Sequence, residues 1–219
     1  RISYWYYNQI MRKRKLSQKY IIGIDEVGRG CLAGPVVVAA VATAANPKFK
    51  ILNPKLKLRD SKKLSVKQRE IWFDFIKQQK ISFAVASVSP KIIDKINISQ
   101  AANLAAKNAV RRLIKNSKLR IQNCKFYLDG GLYLPKSIIL NSKFCILNST
   151  TVVKGDEKIP AISLASIVAK VHRDKLMKRL HKKYPHYGFI RNVGYGTKEH
   201  IKAIRKFGSS PIHRKSFKI

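Results

Sequence analysis

The stretch Tyr20-Ile21-Ile22-Gly23-Ile24-Asp25-Glu26-Val27-Gly28-Arg29-Gly30-Cys31-Leu32-Ala33-Gly34-Pro35-Val36-Val37-Val38-Ala39-Ala40-Val41 decides the fold. Its first five residues form a short apolar, β-branched run, the composition of a buried strand. That run ends in Asp25-Glu26. A glycine-rich turn, Gly28-Arg29-Gly30, follows, and after Pro35 a second apolar run covers Val36 to Val41. Strand, turn and strand in this order predict a β-hairpin whose first strand delivers two carboxylates.

Further along, Ser65 with Gln68 three residues on has the spacing of a helix capping box. Trp72, Phe75 and Ile76 then recur at helical intervals. Ile81 to Val88 reads as a third strand, and Ser99 as the cap of an alanine-rich helix reaching about Asn116. Phe126 to Leu128 is a fourth strand, ending in Asp129. Phe144 to Leu147 and Thr151 to Val153 supply further strand pieces ahead of Gly155-Asp156. A long helix is expected from about Ile162 to Lys182, and another capped by Thr197 and stopped at Gly208. Strands alternating with helices after a hairpin predict an α/β protein on a mixed sheet, with a helical C-terminal region from about residue 184 to 219. Residues 1–18 form a basic, aromatic arm ahead of a domain covering 19–219.

The chain of 219 residues carries 46 lysines and arginines against 11 acids, a formal charge of +35. Such an imbalance points away from anionic surface modules and towards a polyanionic partner, nucleic acid before membrane. Abundant Lys, Ile and Asn also fit a compositional bias, which accounts for a basic surface but not for where the acids sit. Cys31, Cys124 and Cys145 form no Cys-x-x-Cys pair, so a zinc knuckle or disulfide framework is not expected and a reducing cytoplasm suits the chain. No run reaches the ~18 apolar residues of a membrane span. The aromatic cluster Tyr4-Trp5-Tyr6-Tyr7 precedes the basic run Arg12-Lys13-Arg14-Lys15, the reverse of a signal peptide.

With so few acids, each placement is informative. Asp25 and Glu26, Asp129, and Asp156 all follow predicted strands, and ligands in α/β sheets bind at the carboxyl ends of strands. Carboxylates gathered there cannot all stay ionised without cations, and Mg²⁺ or Mn²⁺ suits hard oxygen donors. A basic protein with one acidic pocket is the layout of a phosphodiester-cleaving enzyme using two ions. The alternative is that these acids are strand-end caps and turn formers, as Asp129-Gly130-Gly131 could be. Most of the remaining acids read as surface ion pairs, with Asp60 and Asp174 the two to watch. Gly28-x-Gly30-x-x-x-Gly34 is one residue too long for a dinucleotide fingerprint and leads into a strand. No phosphate-binding loop, H-E-x-x-H or serine elbow is present.

The segment Gly23 to Pro35 closely resembles the signature of prokaryotic ribonuclease HII. The resemblance runs through Asp60-Ser61-Lys62-Lys63-Leu64-Ser65, Ile96-Asn97-Ile98, Leu128-Asp129-Gly130, Lys154-Gly155-Asp156, Ala165 to Val171, Gly194 to His200, and Pro211-Ile212-His213-Arg214. It covers about residues 20–217. Three positions depart from the family pattern: Cys31, Leu164 and Gly196.

The resemblance implies a ribonuclease H-like fold, with a five-stranded mixed β-sheet flanked by helices and a helical C-terminal region. It implies Mg²⁺ or Mn²⁺ held by Asp25, Glu26, Asp129 and Asp156, with Asp174 the rival for the fourth place. It implies hydrolysis of the RNA strand of RNA–DNA hybrids and incision 5′ of single ribonucleotides in duplex DNA. Reading one ribonucleotide means reading a 2′-hydroxyl, a task that falls to Gly28, Arg29, Gly30 and Tyr195. Lys62, Lys63, Lys154, Ser163, Ser166 and Lys170 are candidate phosphate contacts, which position without reading sequence. Cleavage is then sequence-independent and binding weakens steeply with salt. A monomer is expected, with a sliding clamp as a possible partner. The competing readings are a non-catalytic nucleic-acid-binding protein and an enzyme restricted to long hybrids.

Overall fold

The computed structural model describes residues 20–45, 58, 64–117, 119–140 and 143–218. The arm at 1–18, Asp60, Lys62 and Lys63 lie outside the described residues.

Strand β1 (Tyr20–Val27) pairs antiparallel with β2 (Val36–Ala44), Asp25 opposite Ala39 and Glu26 opposite Val38. The hairpin is as the sequence predicts, but β1 runs three residues past Ile24. Both acids therefore belong to the strand rather than to the turn, because ladder pairing with β2 continues to Val27 opposite Val37. Strand β3 (Phe83–Val88) extends the antiparallel side. Strands β4 (Cys124–Asp129) and β7 (Ser149–Val152) add to the other edge of β1 in parallel, giving the order β3-β2-β1-β4-β7. Strands β5 (Ser137–Leu140) and β6 (Lys143–Ile146) form a separate hairpin, of which the sequence signalled only the second strand.

Helices cover both faces. On one face Val36, Val38 and Ala40 of β2 join Ile22 and Ile24 of β1 against α2 (Pro90–Asn116). Its stripe Ala101, Ala102, Ala105, Ala106 and Ala109 is fully buried, and side chains this small admit the helix close to the sheet. On the other face Val37, Ala39 and Val41 meet α1 (Val66–Gln78) and α4 (Pro160–Lys183). A central strand buried on both faces needs the near-continuous apolar run that β2 has. The Ser65–Gln68 capping box opens α1 as expected.

Helix α2 departs from expectation. It starts at Pro90 and kinks at Asn97, whose φ of 64° is left-handed. The Asn97 side chain accepts from the Gln100 amide at 3.0 Å, so Asn97 rather than Ser99 caps the second half. The short α3 (Gly155–Lys158) leads into α4. In the C-terminal region α5 (Phe189–Asn192) and α6 (Lys198–Phe207) enclose a third apolar cluster with Leu32, Ala33 and Met177. Thr197 caps α6 and Gly208 ends it.

Candidate active site

Parallel register places the first acids together. Ile24 of β1 lies abreast of Leu128 of β4, so the next residues, Asp25 and Asp129, leave neighbouring strand ends side by side. Helix α4 crosses β1 immediately before this point. A Cβ at Gly23 would sit 2.1 Å from the Ala161 backbone, so only glycine allows the close approach. That approach brings Ser166 onto Asp25, where its hydroxyl donates to the carboxylate. Asp25 also accepts from the Glu26 amide at 2.7 Å. Ser166, Lys170 and Arg173 fall four and then three residues apart, one stripe of α4 facing the strand ends.

One cleft of about 300 Å³ is lined by Asp25, Glu26, Gly28, Arg29, Gly30, Asp129, Ser166, Lys170 and Tyr195, together with Val27. Most of the predicted site residues among those described therefore meet in one place. A larger groove, about 700 Å³ between α2 and Tyr133–Pro135, has no carboxylate in its lining and is not the site.

Asp156 is buried in α3 and is not part of the cleft's lining. Its neighbour Gly155 donates its amide to the Asp129 carboxylate at 2.8 Å, so the two acidic segments are tied together. Ser163 is likewise buried and outside the lining, its hydroxyl donating to the Asp156 carbonyl. Lys154 is exposed, in a left-handed conformation at the start of α3. Asp174, the rival for the fourth place, pairs with Arg69 at 3.3 Å and is not part of the cleft's lining.

Burial, first, and the charges of Glu26 and Asp129 raise the Asp25 carboxyl well above the ordinary aspartate range. Burial also raises Glu26, with the Arg29 cation opposing it and Asp129 adding to it. The Glu26–Arg29 separation is 3.6 Å. Glu26 Oε2 is buried with no hydrogen-bond partner among the described residues. Among those residues no three acidic, cysteine or histidine side chains stand close enough to enclose an ion unaided. The donor chemistry nevertheless fits a hard divalent cation: crowded carboxylate oxygens, one of them buried and unpartnered, with no soft ligand in the lining. Asp25, Glu26 and Asp129 could hold it, with Asp156 the adjoining acid.

The Gly28-Arg29-Gly30 turn forms the opposite wall. Arg29 donates to Ser99 at 2.7 Å and to the Gly131 carbonyl at 3.1 Å, which ties the turn to α2 and to the loop after β4. Gly28 has φ of 88°, and a Cβ there would meet Arg173 Nε at 2.3 Å. Tyr195 is 44% exposed, so its ring is available from the cleft. Of the three departures, Cys31 touches the Tyr195 side chain and Gly196 packs by Leu32, whereas Leu164 is fully buried in the core with Trp72.

Sequence reasoning assigned no role to four residues that brace the turn and Tyr195: Arg173, His200, His213 and Arg214. Each is at most 4% exposed. Arg173 donates to the carbonyls of Ala33, Pro35 and Val193, holding together the loops on either side of the cleft. No local pattern flags them: their neighbours are charged or polar, as in Lys170-Val171-His172-Arg173-Asp174-Lys175 and Pro211-Ile212-His213-Arg214-Lys215.

A mixed sheet whose strand ends carry carboxylates into a cleft, within so basic a chain, defines a nuclease of the ribonuclease H-like class. The family model described as ribonuclease HII matches residues 22–219. The chain belongs to the ribonuclease HII family, and so is an enzyme of the ribonuclease H class. It is 46% identical to ribonuclease HII of Chlorobium chlorochromatii over 204 residues, covering 92% of this chain and 90% of that one. It is 44% identical to ribonuclease HII of Bacillus cytotoxicus over 211 residues, covering 96% and 72%. Among solved structures, the ribonuclease HII in the PCNA:RNase HII complex from Archaeoglobus fulgidus superposes with a TM-score of 0.65 at 29% identity, covering 91% of this chain and 95% of that one.

Proposed function

We propose that this protein hydrolyses the RNA strand of RNA–DNA hybrids and incises 5′ of single ribonucleotides embedded in duplex DNA, leaving 3′-hydroxyl and 5′-phosphate ends. Its place is then in ribonucleotide removal during DNA repair and replication. The observation that carries the reading is that Asp25, Glu26 and Asp129 open onto the same cleft as the Gly28-Arg29-Gly30 turn and Tyr195.

Asp25, Glu26, Asp129 and Asp156 would hold Mg²⁺ or Mn²⁺, in a two-ion arrangement. Bound there, the ions would activate the attacking water and neutralise the leaving oxygen. The chain's own groups do the rest. The Ser166 hydroxyl fixes the Asp25 carboxylate, and the Gly155 amide fixes Asp129. Lys170 supplies a positive charge beside the acids, where a phosphate oxygen is favoured. The glycines of the turn let backbone groups approach the ribose 2′-hydroxyl, the mark of RNA. The Tyr195 ring offers a stacking surface for the next sugar.

The enzyme works as a monomer in the reducing cytoplasm, which suits Cys31 and Cys124 as buried free thiols. Among the described residues no helix is long and apolar enough to cross a membrane. A sliding clamp is the protein partner that the Archaeoglobus fulgidus relative, seen with PCNA, supports.

The test is a 5′-labelled DNA duplex with one ribonucleotide at a known position. A single product ending immediately 5′ of the ribonucleotide, with the all-DNA duplex uncut, is expected. Binding without any cut would move the protein to the non-catalytic reading. Cleavage of long hybrids alone would restrict it to those.

A further inference from the structure

Arg214 is 2% exposed and forms no ion pair among the described residues. Its guanidinium donates instead to three carbonyls: Gly28 at 2.6 Å, Arg29 at 2.8 Å, and Gly34 at 2.9 and 3.0 Å. Burying a cation is costly unless its donors are satisfied, and the rigid guanidinium fork satisfies several at fixed angles. The consequence falls on the turn. A trans peptide holds its N–H opposite its C=O. With the carbonyls of Gly28 and Arg29 turned onto Arg214, the amides of Arg29 and Gly30 point away from it. The turn that carries those amides lines the cleft, and Arg214 does not.

The preceding residue braces the other wall. Ser210 donates its amide to His213 Nδ1 at 2.9 Å, so that nitrogen is an acceptor and the ring proton is on Nε2. His213 Nε2 lies 3.0 Å from His200 Nε2, which must then accept. The His200 proton is therefore on Nδ1, 2.8 Å from the Tyr195 carbonyl. Donor rules leave one direction for this chain: Ser210 to His213 to His200 to Tyr195. Tyr187 and Phe189 wall it in, and His213 makes an isolated bridge to Ala33.

We propose that His213 and Arg214 are positioning residues for ribonucleotide recognition. Arg214 fixes the Gly28-Arg29-Gly30 turn, His213 fixes Tyr195 through His200, and their adjacency sets the gap between the two walls. This rests on the reading of that turn and Tyr195 given above.

The experiment compares wild type, Arg214→Lys, His213→Asn and Tyr195→Ala on the single-ribonucleotide duplex and on a uniform RNA–DNA hybrid. Lysine keeps the charge without the fork. Asparagine keeps an acceptor for Ser210 without reaching His200. In both variants kcat/KM on the single-ribonucleotide duplex should fall about tenfold more than on the hybrid, as for a site that reads a hydroxyl. His213→Asn should add nothing to that selectivity change in a Tyr195→Ala background. Nitrogen NMR of the wild-type histidines, which needs no variant, should show the proton on Nε2 of His213 and on Nδ1 of His200. Equal losses on the two substrates, or the opposite tautomers, overturn the proposal. If wild type itself does not incise the single-ribonucleotide duplex, the underlying reading fails instead.

Discussion

Gly23 shows how one side chain fewer positions an active site. Its missing Cβ is where the Ala161 backbone passes, and this crossing delivers Ser166 to Asp25. Gly23→Ala must push α4 off β1. Overpacking of this kind costs about 1–3 kcal/mol, so the urea midpoint should drop, and cleavage should fall further than stability accounts for because Asp25 loses its donor. An unchanged midpoint and rate would show that α4 is not seated by that contact. At this scale the carboxylates were legible in the sequence, because acids are rare in the chain and these stand where apolar runs give out, although Asp25 and Glu26 belong to β1 itself. Arg214 and Arg173 were not. Their carbonyl partners lie 20 to 186 residues away, all but Val193 by 138 or more, and bonds to backbone carbonyls leave no pattern in residue type.

Element boundaries follow local chemistry where it is strong. The capping box of α1, the Thr197 cap and the Gly208 stop of α6 were all readable because each motif is complete within a few residues. The kink in α2 was not. Ser99 looks like a cap, yet it accepts from Arg29, and Asn97 does the capping from a strained backbone, φ 64° and ψ 166°, that residues other than glycine rarely adopt. The kink thereby sets the height of Ser99 against the Gly28–Gly30 turn. Asn97→Ala loses the cap to the Gln100 amide, so it should destabilise the protein by about 1–2 kcal/mol. It should also loosen Arg29, seen as a rise in KM in the same assay. Wild-type stability would mean the kink is held by packing alone. The β5–β6 hairpin was half-seen, since its strands are only four residues each and alternate weakly.

Across the whole molecule, the helical C-terminal region is joined to the sheet domain through buried polar groups as well as apolar ones. The fold class and sheet content were legible from alternating patterns. The strand order was less so, because it depends on which distant elements share a face. The His200–His213 pair makes the joint sensitive to acid. Burial, then His200, lowers His213 to about 4, below its ordinary 6.5. The unfolded chain therefore binds a proton that the folded one refuses. Stability is full above about pH 6.5 and is lost as pH falls towards about 4, by about 2 kcal/mol between pH 7 and pH 5. Denaturant titrations at those two pH values should show the loss in wild type and much less of it in His213→Asn. A flat wild-type profile would remove the buried neutral pair. If the cleft at the ends of β1 and β4 is the catalytic site, one comparison of variants decides it. Wild type, Asp129→Asn and Asp174→Asn are given a labelled duplex containing one ribonucleotide, with Mg²⁺, with Mn²⁺ and with EDTA. Metal-dependent incision by wild type and Asp174→Asn, abolished in Asp129→Asn, is the predicted result. Retained incision in Asp129→Asn, or its loss in Asp174→Asn alone, would place the catalytic site elsewhere.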